Sequence, residues 1–410
     1  MRKFFTSLIE KITLLFTKKY SYPKLILFFI ITGIIVNLPY TVGRFSIDDF
    51  MFVSIIEENI PYNTLTGFWS LNFEDFPGFQ SMWWVDAEAD GKFFRPLPSL
   101  VFAVMFEIFG RSSSIPLHII SIIMHSMVAF SVFLLFVRLS KRYAISLLAA
   151  FLFLISEDQT MTIGWIATNT DIFAVLFINL SLFFYITFRE ESDYKKLLAS
   201  ILLLFFAFLC KETAIIAPVA IILYEFIFQT KSKRGWDFIY NLGYRFLGLI
   251  KNWKYWGVIF LFLIIYMILY KSSGYGAINL MYYDPFGQPI AYLKNLFVGY
   301  PLLFAGYLSI LPIGLTPFIK SLTLSFALSG VFLFTIFLAT LYPYRKNKVI
   351  QFCFILFIVS ILPQLSTIAA ERLLYFPLVS GCFIVGFLIF QIKIFKKEFS
   401  PKTPDRRAHV

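Results

Sequence analysis

Two adjacent carboxylates, Asp48 and Asp49, stand just beyond the first long apolar run of the chain, Lys24 to Val42. A charged Asp at the centre of a bilayer costs roughly 3 kcal/mol even on the mildest insertion scale. The pair is therefore expected at an interface, facing a water-filled cavity, or in chemical use. The chemistry open to it is general base catalysis. A carboxylate within about 3 Å of a hydroxyl takes its proton as a new bond forms. Adjacent side chains do not point the same way on a helix or strand. One Asp is thus expected to act, and the other to hold a backbone group or a basic residue. The second charge would raise its neighbour's pKa or orient an acceptor.

Other charged residues recur beside apolar runs: Arg95, Lys211, Glu212, Glu371 and Arg372. Taken singly, each fits an interfacial charge that ends a helix and snorkels to water. Taken together they offer cations for a phosphate, whose developing charge Arg or Lys would meet as it leaves. His118 and His125 are seven residues apart and share one helix face. His118 is nearer the outer end, within reach of a phosphate or an acceptor, and His125 lies deeper. Both also fit hydrogen-bonded packing histidines, and two histidines alone make no metal site. The acidic pair could hold a divalent ion, but no further ligand set is evident.

The elements that must position these groups are membrane helices. The chain has 410 residues, 59% of them hydrophobic and only 15% charged, where a soluble protein carries about 25% charged residues. Apolar runs long enough to span a bilayer recur throughout. The net charge of +12 does not imply nucleic acid, because the basic residues collect at particular segment ends as the positive-inside rule expects. Lys3, Lys11, Lys18 and Lys19 at the start, and Lys396, Lys397, Arg406 and Arg407 at the end, place both termini in the cytoplasm. The three cysteines form no disulfide or CxxC pattern.

The expected fold is an all-α integral membrane domain over residues 1–410, with about ten transmembrane helices. Met1 to Tyr22 reads as an amphipathic helix on the cytoplasmic surface. Residues 43–96 form an acidic, Trp-bearing outer loop with interfacial helices. Leu97 to Phe109 is too short to cross and reads as interfacial or half-inserted. Thr230 to Lys254 is the largest inner loop. Leu293 to Leu315 is interrupted by Pro301, Gly306, Pro312 and Gly314. The charge rule favours its dipping in and returning, so residues 272–317 form an outer re-entrant wall. Residues 392–410 are a basic cytoplasmic tail. This topology gathers Asp48, Asp49, Arg95, Lys211, Glu212, Glu371 and Arg372 on the non-cytoplasmic side.

The chain resembles the GT-C superfamily of polytopic glycosyltransferases, nearest to the transmembrane O-mannosyltransferases with TPR repeats and their bacterial relatives. The resemblance runs from about Asp48 to Tyr375. It rests on Asp48-Asp49 after the first helix, Phe94-Arg95-Pro96-Leu97 before a short helix, and His118 through His125 as an H-x6-H helix. Trp165 to Asp171, the Lys211-Glu212-Thr213 turn and Glu371-Arg372-Leu373-Leu374-Tyr375 complete it. The resemblance implies a polyprenyl- or dolichyl-phosphate-linked monosaccharide donor and a base in the first outer loop, Asp48 with Asp49 as alternate. It implies Arg95, Lys211 and Arg372 as phosphate contacts, Glu371 as a brace for one of these cations, and His118, Glu212 and Tyr375 as further binding residues. Two departures stand out. The second outer loop reads Gln159, Met161 and Asn169 where the family pattern carries His and Glu, with Glu157 and Asp158 as the nearest substitutes. No TPR repeats follow the last helix.

The expected function is inverting transfer of one sugar from a polyprenyl-phosphate donor to a glycan, glycolipid or protein acceptor outside a bacterial inner membrane, with no cofactor required. The rival readings are a lipid or solute transporter or flippase, and a catalytically inactive GT-C-like partner subunit.

Overall fold

The computed structural model describes residues 18–46, 49, 53, 70–71, 90–110, 113–230, 238–278 and 282–392. Asp48, most of the first outer loop with its expected interfacial helices, the N-terminal amphipathic stretch before Lys18 and the basic tail from residue 393 lie outside them.

The described helices are α1 (Tyr22–Asn37), α2 (Pro96–Phe109), α3 (Ile115–Ser140), α4 (Tyr143–Ile155), α5 (Thr160–Gly164), α6 (Asn169–Glu191), α7 (Tyr194–Phe208) and α8 (Ile216–Tyr224). They continue with α9 (Phe238–Lys251), α10 (Trp253–Ser272), α11 (Pro289–Leu308), α12 (Lys320–Leu341), α13 (Lys348–Gln364) and α14 (Pro377–Gln391). A 3-10 turn, Glu212–Ile215, leads into α8, and a π turn, Glu225–Gln229, follows it. Six helical spans are long and apolar enough to cross a membrane, or seven if α4 and the bent segment after it count as one. The chain is an integral membrane protein. Four of the ten expected crossings form helices of 13, 15, 17 and 15 residues, namely α4, α7, α13 and α14. Each falls short of the ~20 residues that span a hydrocarbon core.

The helix ends follow local chemistry. Proline opens α1, α2, α3, α11 and α14, where its missing N–H is no loss. Asn347 caps α13 by accepting from the Val349 and Ile350 amides, satisfying donors that a helix start leaves unpaired. Lys141 and Ser192 close α3 and α6 in the left-handed region, both at φ 58°, and each donates its N–H back to the preceding turn. The two tight turns are joined by Arg138 to Glu191 at 2.6 Å and Lys141 to Glu190 at 2.7 Å.

The core is built around α3 and α6. In their most apolar stretches 67% and 72% of residues are buried, against 11% in α10 and α12, which therefore line the periphery. Helices α3 and α6 run parallel. Ser121 meets Asn169 at 2.7 Å, and ten residues on along both helices Ser131 meets Asn179 at 3.0 Å. Such bonds add a few tenths of a kcal/mol to about 2 each in a bilayer and fix register. Near the basic end Arg189 on α6 pairs with the fully buried Glu225 at 3.0 Å, and Tyr185 donates to the same carboxylate at 2.9 Å.

The segment after α10 is tied down on both flanks of α11. Asn295 near the start of α11 donates to the Leu365 and Thr367 carbonyls at 2.8 and 2.7 Å. Beyond its end, Gly314 N donates to the Glu371 carboxylate at 3.0 Å. Both flanks of α11 thus meet the same short stretch, at one end of the bundle, and Pro301 interrupts the helix between them. Two details add to the sequence reading. The fold is all-helical as expected apart from strands β1 (Ser70–Leu71), β2 (Asp90–Lys92) and β3 (Gly276–Ile278), which form a small antiparallel sheet. The inner loop Thr230 to Lys254 contains α9, whose apolar residues four apart were masked by the surrounding lysines.

Two packing predictions follow from backbone and charge. A Cβ on Gly330 would overlap the Pro301 carbonyl oxygen, so Gly330→Ala must part α11 from α12 and cost about 1–3 kcal/mol or more. Glu225→Ala strands the Arg189 cation in the core and should cost about 3–5 kcal/mol. Thermal melts of the purified protein in detergent check both, with Gly243→Ala, where a Cβ meets nothing within 4 Å, as a near-neutral control.

Candidate active site

One end of the bundle gathers the polar ends of α1, α2, α3, α5, α6 and α8 with the loops flanking α11 and α14. A cavity of about 610 Å³ opens there, lined among others by Tyr40, Glu157, Trp165, Leu311, Pro312 and Glu371.

Asp49 is almost fully buried, at 1% exposure. One oxygen accepts from the Ser46 amide at 3.0 Å and its hydroxyl at 3.3 Å. This is the reach-back of a capping box. The other oxygen accepts from the Ala167 amide at 2.8 Å, which ties the first outer loop to the second. Asp49 therefore holds backbone on both sides. Burial pushes its carboxyl up to about 6, against the pull of the Ser46, Ala167 and Ile166 amides.

The three cations picked from sequence have different fates. Arg95 is clamped by Glu212, Nη2 to Oε2 at 2.9 Å and Nε to Oε1 at 3.2 Å, and lies 4.6 Å from the centre of the Phe93 ring. Burial works against its charge and Glu212 more than restores it. Tyr270 of α10 donates to the same carboxylate at 3.3 Å. Lys211 is paired with Asp171 at the start of α6. Burial pulls its pKa down, and Asp171 only partly offsets this. Arg372 has no carboxylate within ion-pair distance among the described residues. Its guanidinium sits 5.0 Å from the centre of the ring of Trp165, a residue that lines the cavity, a distance at which cation–π attraction holds it.

Glu371 braces the Gly314 amide rather than a cation, and a Cβ at Gly314 would crowd that carboxylate. His118 is fully buried against the Gly43–Arg44 backbone. Neither ring nitrogen makes a well-formed hydrogen bond among the described residues. Tyr375, expected as a binding residue, lies in the core at 1% exposure with its hydroxyl 2.8 Å from His125 Nδ1. His125 Nε2 meets the Leu154 carbonyl at 3.2 Å, as a packing histidine does.

Sequence reasoning gave too little weight to Trp165 and Asp158. Asp158 is buried beside Ser156, near enough to Glu157 and Glu371 to feel their charge. Gln159 and Trp165 carry buried nitrogens without partners among the described residues. Leaving a buried polar atom unpaired costs about 1–3 kcal/mol, so these donors favour a polar ligand. The signal available was the polar run Ser156 to Gln159 between two apolar helices.

A helical membrane protein with a cavity at one end of its bundle, lined in part by Glu157 and Glu371, is the class that this geometry defines. Residues 95–256 match the family model of dolichyl-phosphate-mannose-protein mannosyltransferases. The matched stretch is less than half of the chain. It includes Arg95, His118, Trp165, Asp171, Lys211 and Glu212 but not Asp48, Asp49, Glu371 or Arg372. It points to a mannosyltransferase-like glycosyltransferase. Neither a curated protein nor a solved structure matches the chain at a significant level.

The buried state of Asp49 has a pH signature. Its folded pKa, about 6, exceeds the unfolded 3.8, so between these values the folded chain binds more protons. Stability from this group is then greatest below about pH 4 and falls as pH rises to about 6, by roughly 3 kcal/mol in all. The melting difference between wild type and Asp49→Asn should change across that window and be level above it.

Proposed function

We propose that the chain is an inverting glycosyltransferase of the GT-C type, moving one monosaccharide from a polyprenyl-phosphate donor to an acceptor on the non-cytoplasmic face. The observation that carries the reading is Arg372. It is the one of the three candidate cations left without a carboxylate among the described residues, and it sits over Trp165, which lines the cavity. Arg95 and Lys211, both neutralised, become positioning residues for the helix ends around it. The donor phosphate would pair with Arg372. Asp48 would take the proton of the acceptor hydroxyl, and that oxygen would attack the sugar carbon from the face opposite the phosphate. As the new bond forms, the carbon–oxygen bond to phosphate breaks, and the leaving charge falls on the phosphate oxygens facing Arg372. Asp49 would hold the loop that presents Asp48.

The basic end, with Arg138, Lys141, Arg142, Lys195, Arg345 and Lys346, would face the cytoplasm by the positive-inside rule. A transporter predicts acidic or basic groups buried in mid-span and often repeated halves. Here Lys211–Asp171 and Arg189–Glu225 are paired and lie towards the ends of α6.

The test is sugar transfer in proteoliposomes with a panel of radiolabelled polyprenyl-phosphate monosaccharides. Asp48→Asn should lower transfer by about 10²-fold or more, and Arg372→Gln by about 10²–10³-fold, both with unchanged melting. Asp49→Asn should lower it less. Wild-type rates in Asp48→Asn and Arg372→Gln would reject the mechanism. Absence of transfer by wild type with every donor would move the reading to a partner subunit or a transporter.

A further inference from the structure

Helix α9 presents an apolar arc that no described element covers. Leu242, Phe246 and Ile250 are four apart, with Leu247 beside them, and all four are exposed. Leu249 is the buried residue among its described side chains. The chain then turns through Asn252 into α10, whose Trp253, Val258 and Leu261 are also exposed. The arc of α9 is therefore continuous with the lipid-facing belt of the bundle.

The charge at this corner is one-sided. Arg245 lies 5.9 Å from the centre of the Phe226 ring, and close enough to Lys348 at the start of α13 for their charges to repel. Neither has a carboxylate partner among the described residues. Lys251 and Lys254 are exposed at the adjacent elbow. Like charges brought to one corner by two different helices attract an anion to it. An amphipathic helix flanked by such cations suits the headgroup plane of an anionic leaflet.

We propose that α9 lies in the headgroup plane at the basic end of the bundle, where Arg245 and Lys348 together hold the phosphate of an anionic phospholipid. The seat is wired to the core. Asn252 reaches the buried Glu225 at 3.4 Å, Trp256 Nε1 donates to the Leu249 carbonyl at 3.0 Å, and Arg189 stacks on Tyr255 at 3.9 Å. The proposal rests on the topology given above and not on the transfer chemistry, so its test does not use activity.

The native cysteines Cys210, Cys353 and Cys382 are buried, so a nitroxide on Phe246→Cys labels the full-length protein selectively. The protein is placed in nanodiscs of phosphatidylcholine alone, with phosphatidylglycerol, or with free inorganic phosphate. The ratio of oxygen to aqueous nickel-reagent relaxation is read in each. It should rise several-fold with phosphatidylglycerol and not with phosphate. The joint change Arg245→Gln and Lys348→Gln should abolish the rise, and a label at Tyr244→Cys should stay water-accessible throughout. An equal ratio in all three discs overturns the proposal. A rise with phosphate alone does so in favour of a soluble anion. Spin–spin broadening between labels does so in favour of a second copy of the chain on this face. If the double variant does not fold, the phosphatidylglycerol arm of the Phe246 label decides.

Discussion

Buried charges in a bilayer protein need partners, and the partners available here decide how the helices meet. Lys211 and Glu212 are neighbours of opposite sign that reach to different helices, Lys211 to Asp171 on α6 and Glu212 to Arg95 at the start of α2. Farther along, the span that Glu212 begins offers Glu225 to Arg189, again on α6. The same two segments are thus tied towards both ends, and neither can slide by a turn without stranding two charges. Removing one partner of such a pair costs about 3–5 kcal/mol, though the pair itself is a weak source of net stability. Its contribution is register. The polar ladder between α3 and α6, Ser121–Asn169 and Ser131–Asn179, fixes the next neighbour in the same way.

That register shapes the cavity. With α6 held, the turn Ile166–Thr168 just before it is held as well, and the Ala167 amide is where Asp49 attaches the first outer loop. Trp165 sits one residue earlier and carries Arg372. Across the cavity, Glu371 next to Arg372 holds Gly314 and so the wall after α11. The adjacent residues differ: Glu371 fixes backbone, while Arg372 has no carboxylate partner among the described residues.

Much of this was legible in the sequence, because hydropathy and the placement of lysine and arginine are strong signals in membrane chains. Helix α2, the α3 and α6 spans and the gathering of polar residues at one end all follow from them. What failed was pairing. Nothing in the local pattern says that Glu212 takes Arg95 or that Asp171 takes Lys211, since these partners are 117 and 40 residues apart. Tyr375 looked like part of a polar motif because Glu371 and Arg372 precede it, yet the 3-10 turn Glu371–Leu374 carries it into the core. The small sheet and α9 were missed for a different reason. Strands of two or three residues leave no alternation to read, and the lysines around α9 gave a loop-like composition to a helix with one apolar face.

The acidic pair illustrates why chemistry and structure must be separated residue by residue. A carboxylate that accepts from Ser46 and Ala167 has its oxygens committed, and is buried enough for its pKa to rise towards 6. A residue so engaged can act as a base only by giving up the bonds that attach its loop. The burial that makes Asp49 a poor base makes it a good anchor. A base working on a short loop benefits from an anchor one residue away, since small errors in placing a reacting group are costly in rate.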